Sequence, residues 1–241
     1  MYGILRTDKG LVRQLNEDSA WMDESSELFA VADGMGGHLA GEVASAFAIE
    51  EIKKMAEAGT ESDLIVLENT VRNANQVILD YANTHPECLG MGTTLSVLWH
   101  HETYAFLAHV GDSRIYRLRN GNLEQITRDH SLVAELLRGG LITAEEARVH
   151  PKRNIITKAL GTEGNNDPDI LAVSWEKTDI WLLCTDGLHG MVSDEEMQRI
   201  LLSSAPAAAA DELLAAALSA GGTDNVTFIL CGGEESVWKQ D

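Results

Sequence analysis

The chain has 241 residues, 44% of them hydrophobic, which is enough apolar material for one sizeable core. Its 38 acidic residues outnumber 18 Lys and Arg, and the resulting charge of −20 argues against a nucleic-acid-binding surface, because phosphate backbones reward basic patches. No apolar run reaches membrane-span length, and the start "MYGILRTDKGLVRQ" lacks the basic and long apolar regions of a signal peptide, so no membrane contact and a cytoplasmic location are expected.

Strand signals come first, in "GILRT" and "LFAVAD". Residues 42–57 read as a helix with Val43 and Phe47 on an apolar face. Residues 62–83 are a clearer one, with Leu64, Leu67, Val71, Ala74, Ile78 and Tyr81 at spacings of three and four. Ser62 is the expected N-cap. "TLSVLW", "YAFLAHV", "RIYRL" and "LEQIT" follow as short strands with short connections, which predicts an antiparallel meander. Residues 130–150 turn helical, and "ILAVSW" and "IWLLC" are strands again. Ser193 and Glu196 predict a capping box at the next helix. An Ala-rich helix stops at Gly221-Gly222, and "NVTFILC" is a last strand before a polar tail, 232–241.

Helices come in pairs and strands in antiparallel groups, which is not the rhythm of a doubly wound parallel sheet. The expected class is α+β, with layers of helix flanking antiparallel sheets. With four prolines and no Ser/Gly-rich linker, residues 1–241 read as a single domain. Cys88, Cys184 and Cys231 are odd in number and widely spaced, so neither a disulfide framework nor a zinc knuckle is expected.

Five acidic clusters share a local grammar: "NED" (16–18), "ADG" (32–34), "VGDSR" (110–114), "CTDG" (184–187) and "GTDN" (222–225). Each lies at a strand end, and four have a glycine close by. One such cluster is ordinary turn chemistry. Five suggest that Asp18, Asp33, Asp112, Asp186 and Asp224 meet at one edge, where they could share a small space ionised only if cations neutralised them. Oxygen-only ligands suit Mg²⁺ or Mn²⁺, and paired ions of this kind promote displacement at phosphorus.

Rival phosphate chemistries fail. No Walker loop is present. "GMGGHL" imitates a dinucleotide loop, but Leu39 replaces its third glycine and Asp33 would face the pyrophosphate. Thr94, Gly190 and Val237 stand six residues after the cysteines, where a cysteine phosphatase needs arginine; Cys184 reads as a buried strand residue. Arg13, just ahead of "NED", suits bidentate phosphate binding or is an ordinary surface arginine.

Together "RQLNED", "VADGMGGH", "MGTTL", "HVGDSRIYRL", "DHSLVAELLRGGLITAEEARVHPKRNIITKALG", "LLCTDGLHGMVSD" and "GGTDNVT", in this order, resemble the metal-dependent protein phosphatase family of the 2C type, in its bacterial single-domain branch. The resemblance runs from residue 6 to about 230. It implies a four-layer α-β-β-α sandwich with two central antiparallel sheets, and a serine/threonine phosphoprotein phosphatase. It also implies two Mn²⁺ or Mg²⁺ ions bridged by Asp33. The Gly34 carbonyl and Asp18 would serve one ion, Asp186 and Asp224 the other, and Asp112 with Asp186 a weaker third. Arg13 would grip the phosphate, and Glu17 would hydrogen-bond to water on an ion. A hydroxide between the two ions would attack phosphorus directly, without a phosphoenzyme. The segment from about 128 to 160 would be a flap beside the site that influences substrate choice.

Animal members carry a histidine after the Asp-Gly pair as catalytic acid; here Met35 stands there. His38 is either a proton-transfer group or a polar residue at a helix start. The expected partners are phosphoserine and phosphothreonine proteins, including a Ser/Thr kinase or its substrates, with a monomer as the default. Alternative readings are a stress-response phosphatase of anti-anti-sigma factors and an inactive phosphoprotein-binding relative.

Overall fold

Strands that are apolar at nearly every position must be covered on both faces, and the central strands of this chain meet that description. The computed structural model describes residues 1–36, 40–59, 62–164 and 166–233. Strands β1 (Tyr2–Asp8), β2 (Asp18–Asp23) and β3 (Leu28–Met35) precede helices α1 (Gly41–Glu57) and α2 (Leu64–Thr84). A 3-10 turn, Pro86–Cys88, leads to β4 (Gly92–Thr93), β5 (Leu95–His101), β6 (Tyr104–Val110), β7 (Arg114–Arg119) and β8 (Asn122–Gln125). Two short helices, α3 (Leu132–Arg138) and α4 (Ala144–Val149), occupy the expected flap. Then come β9 (Asp169–Ser174), β10 (Ile180–Cys184), α5 (Asp186–His189), α6 (Asp194–Ser203), α7 (Pro206–Ser219) and β11 (Val226–Gly232).

One sheet runs β1-β11-β10-β7-β8 and the other β2-β3-β5-β6-β9, with β4 paired to β3; the pairings are antiparallel. Period-two alternation builds the layers. In β3, Leu28, Ala30 and Ala32 face α1 and α2, while Phe29 and Val31 face the other sheet. In β10, Leu182 and Cys184 pack with α6 and α7, while Trp181 and Leu183 point between the sheets. The result is the expected α-β-β-α sandwich. Among the described residues no helix is long and apolar enough to cross a membrane. The three cysteines are free and buried.

Three local expectations need correction. The four strands from 95 to 125 are not one meander: β5-β6 and β7-β8 are hairpins, but the chain changes sheet between β6 and β7. The "GDS" turn is that crossing, and short spacing alone does not distinguish it from a hairpin. Helix α2 is capped by Asp63 rather than Ser62. Asp63 is extended at φ −146° and accepts from the Ile65 and Val66 amides at 2.6 and 3.3 Å. At α6, Ser193 accepts from the Glu196 amide, but the Glu196 carboxylate is engaged by Arg199 instead of closing a box. The reciprocal box occurs at Thr143 and Glu146, opening α4. Beyond Gly233 the polar tail lies outside the described residues.

Candidate metal centre

Both sheets end in acid at the same edge. Asp18 opens β2 and is the register partner of Asp33 near the end of β3. Asp112 lies in the turn between β6 and β7, Asp186 begins α5 directly after β10, and Asp224 precedes β11. Cross-sheet bonds hold the two acidic rows together. Thr185 Oγ1 donates to Asp18 Oδ2 at 2.9 Å, and the Glu17 amide donates to Asn225 Oδ1 at 2.8 Å.

Close backbone approach explains the glycines. A Cβ on Gly34 would stand 2.1 Å from the Gly41 carbonyl oxygen, so β3 and the start of α1 meet only without side chains there. A Cβ on Gly187 would stand 1.8 Å from the Asn225 carbonyl oxygen. That contact brings the Asp186 and Asp224 turns side by side. The "MGTTL" threonines clamp Asp33: Thr94 Oγ1 accepts from its amide at 2.9 Å, and Thr93 Oγ1 donates to its carbonyl at 2.9 Å. Thr94 also meets Ser113 Oγ at 2.6 Å, which ties the Asp112 turn to the same strand end.

The electrostatics are those of crowded, desolvated acids. Burial pushes the Asp33 carboxyl well above the usual carboxylate range, and Asp18, Asp186, Asp112 and Asp224 push it further. Burial also raises Asp18, Asp112 and Asp186, with neighbouring carboxylates adding to each. Glu17 is raised by burial, against the pull of Arg13. Among the described residues, two buried carboxylate oxygens, Asp18 Oδ1 and Asp186 Oδ1, have no hydrogen-bond partner. Buried acceptors left this way carry a desolvation cost unless something else approaches them. A hard divalent cation fits that chemistry. Among the described residues no three His, Cys, Asp or Glu side chains gather tightly enough to hold one ion by themselves. Mg²⁺-like ions rarely need that, since one or two carboxylates plus waters complete their octahedron.

Arg13 stands at the rim and donates through Nη2 to Asp224 Oδ2 at 2.7 Å. His38 lies outside the described residues. Sequence reasoning did not single out the supports beneath the acids. Asn225 Nδ2 donates to the Lys9 and Leu15 carbonyls at 2.9 and 2.8 Å. His189 Nε2 donates to the Asp112 carbonyl at 3.0 Å, and burial holds this imidazole neutral, down at about 3. Arg114 grips Asp129 with three bonds of 2.7 to 3.1 Å at the root of the flap. Arg114 and Asn225 fall inside acidic clusters and His189 lies two residues past one, which is the available signal.

The protein phosphatase 2C family model matches residues 7–220, and the chain belongs to that family. It is 40% identical over 242 residues to the "Serine/threonine phosphatase stp" of Listeria innocua, covering 95% of each chain. It is 42% identical over 226 residues to the "Serine/threonine protein phosphatase PstP" of Mycobacterium tuberculosis, covering 93% of this chain and 43% of that protein. The crystal structure of the Mycobacterium tuberculosis phosphatase superposes with a TM-score of 0.91 at 41% identity, over 97% of this chain and 98% of that one. A structure of the PstP catalytic domain in complex with two manganese ions gives a TM-score of 0.87 at 39% identity, over 95% and 96%. The family and fold expected from the seven motifs are borne out.

Proposed function

We propose that the chain is a Mn²⁺- or Mg²⁺-dependent serine/threonine phosphoprotein phosphatase, folded as one domain over residues 1–241. The observation that carries this is the pair of buried carboxylate oxygens, Asp18 Oδ1 and Asp186 Oδ1, that have no hydrogen-bond partner among the described residues, in the acidic cluster around Asp33. The names of the bacterial relatives and the two manganese ions of one neighbour support it.

Asp33 would lie between two ions, with Asp18 and the Gly34 carbonyl toward one and Asp186 and Asp224 toward the other. Asp112, with Asp186, would hold a weaker third. Bound there, a pair of divalent cations supplies an activated water and charge stabilisation for in-line displacement at phosphorus. The chain's own residues do the rest. Arg13, already oriented by Asp224, binds and positions the phosphate. Thr185 and Thr94 fix Asp18 and Asp33 so that little reorganisation accompanies binding. Glu17, next to Asp18 in the chain, would hydrogen-bond to water on an ion. His38 is a further candidate for proton transfer. The 128–160 segment flanks the Asp112 turn, where the His130 amide donates to the Gly111 carbonyl at 2.8 Å, and it influences substrate choice.

The substrates are phosphoserine and phosphothreonine proteins, a Ser/Thr kinase or its targets among them, met by a cytoplasmic monomer. The deciding experiment compares phosphothreonine, phosphoserine and phosphotyrosine peptides with and without Mn²⁺. Hydrolysis of the first two only with metal is expected. Preference for phosphotyrosine, or turnover indifferent to chelator, would overturn the reading.

A further inference from the structure

Exposed large hydrophobic side chains among the described residues include Ile65, Leu89 and Tyr104, each distant in sequence from the next, and scattered exposed apolar residues are ordinary. The segment around Arg13 is different. Leu11 is 68% exposed, Val12 61% and Leu15 43%, three within five residues. Their backbone is pinned. The Gly10 amide donates to Asp8 Oδ1 at 2.7 Å, the Leu11 amide to the Gly222 carbonyl at 2.8 Å, and Asn225 holds the Lys9 and Leu15 carbonyls. A fixed loop that keeps three apolar side chains in water marks a contact surface. Between Val12 and Leu15 in the chain stands Arg13, whose side chain is 46% exposed and anchored on Asp224.

We propose that Leu11, Val12 and Leu15 form an apolar docking rim for the substrate phosphoprotein, and that the segment taken carries apolar side chains beside its phosphoserine or phosphothreonine. The inference rests on the phosphatase reading above. With the phosphate on Arg13, the residues next to the phosphorylated one fall within reach of this rim. Charge narrows the choice of flanks. A chain of −20 repels acidic flanks, whereas Arg13 attracts the phosphate itself. A second copy of this chain, equally acidic, fits the surface less well.

The test uses the full chain with Mn²⁺ and three phosphothreonine peptides of equal length, with Leu/Val, Ser/Asn or Asp/Glu flanks. Apolar flanks should give kcat/KM at least about 5-fold above polar ones, since each well-placed methylene contact discriminates by about 10-fold in a closed pocket and by less on an open rim. Acidic flanks should be the poorest. In the triple variant Leu11→Ser, Val12→Ser, Leu15→Ser the apolar preference should fall to within about 2-fold, mainly through KM, because uniform binding is what is removed. Turnover of p-nitrophenyl phosphate, which has no flanking residues, should stay nearly unchanged. Preference retained in the triple variant overturns the proposal. So does preference lost instead in Leu137→Ser, Leu141→Ser on the flap, or a dimer in sedimentation that the triple variant abolishes. If no phosphoester is hydrolysed at all, the phosphatase reading fails and this inference falls with it; wild-type turnover without flank preference overturns this inference alone.

Discussion

Asp18 and Asp33 are direct register partners across β2 and β3, so two carboxylates face one another at the buried end of a sheet. Asp186 and Asp224 come to the same place from the second sheet, and every one of these charges raises Asp33. Without cations the arrangement works against folding. Asp33→Asn should therefore stabilise the chelated protein by about 1–2 kcal/mol, or roughly 2–8 °C in Tm for a chain of this size. The same variant should lose the Tm rise on adding Mn²⁺ and about 10²–10³-fold or more of phosphopeptide turnover. Thermal scans in EDTA and in Mn²⁺ measure both. A lower Tm for Asp33→Asn in EDTA would show that the acids are not in mutual conflict.

The pH dependence follows from the same acids. Burial lifts Asp18 to about 7 and Asp186 to about 6 in the fold, above their unfolded values near 4. A raised carboxylate favours the fold while protonated, so this contribution is full below pH of about 4 and is lost as pH rises through about 6–7. Buried His109 and His189 run oppositely. Burial holds them at about 4 and about 3, so stability falls as pH drops below about 6.5, where the unfolded imidazoles protonate. Subtracting Tm in EDTA from Tm in Mn²⁺ cancels the histidines. That difference should grow from pH 5 to pH 7.5, because cations replace protons among the carboxylates. A flat difference would dissociate metal binding from these acids.

Much of this site is written locally. Aspartate beside glycine at the end of an apolar run is legible at Asp33 and Asp186, because turn chemistry and strand patterning act over a few residues. The sandwich is legible because β3, β10 and β11 have no polar face. What cannot be read is which strand crosses sheets, since the turn at Asp112 resembles a hairpin turn in length and composition. Nor can the supports be read. Thr94 under Asp33, and Asn225 under Lys9 and Leu15, act on residues 61 and more than 200 positions away. The cap of α2 was missed for a smaller reason: Ser62 and Asp63 are both good caps, and only the extended backbone at Asp63 decides between them.

Gly187 tests how far the site depends on backbone contact. Alanine there would place its Cβ 1.8 Å from the Asn225 carbonyl oxygen, and no rotamer relieves a backbone clash. Gly187→Ala should cost about 2–3 kcal/mol, as overpacking of a rigid contact does. Because the clash separates the Asp186 and Asp224 turns, Mn²⁺ affinity measured by calorimetry should fall together with stability. Wild-type affinity in a destabilised variant would mean that the two turns need not be held at this distance.

Asn225 separates loop positioning from the acids themselves. Its amide nitrogen holds the Lys9 and Leu15 carbonyls, and its oxygen accepts from the Glu17 amide at 2.8 Å, so one buried side chain fixes both ends of the segment that carries Arg13. Asn225→Ala removes three hydrogen bonds worth roughly 1 kcal/mol each and strands their backbone partners, for an expected cost of about 2–4 kcal/mol. Asp224 remains, so divalent binding should weaken less than in Asp224→Asn. Arg13 loses its fixed mounting, so KM for phosphopeptides should rise about 5–20-fold with a smaller change in kcat, the signature of lost ground-state binding. Asn225→Asp is the sharper control. It keeps the shape and the acceptor for Glu17 but gives up both donors to the carbonyls. It also adds a charge beside Asp224. If the loop bonds matter most, it should resemble Asn225→Ala in KM; near-wild-type KM would assign the effect to the Glu17 bond alone.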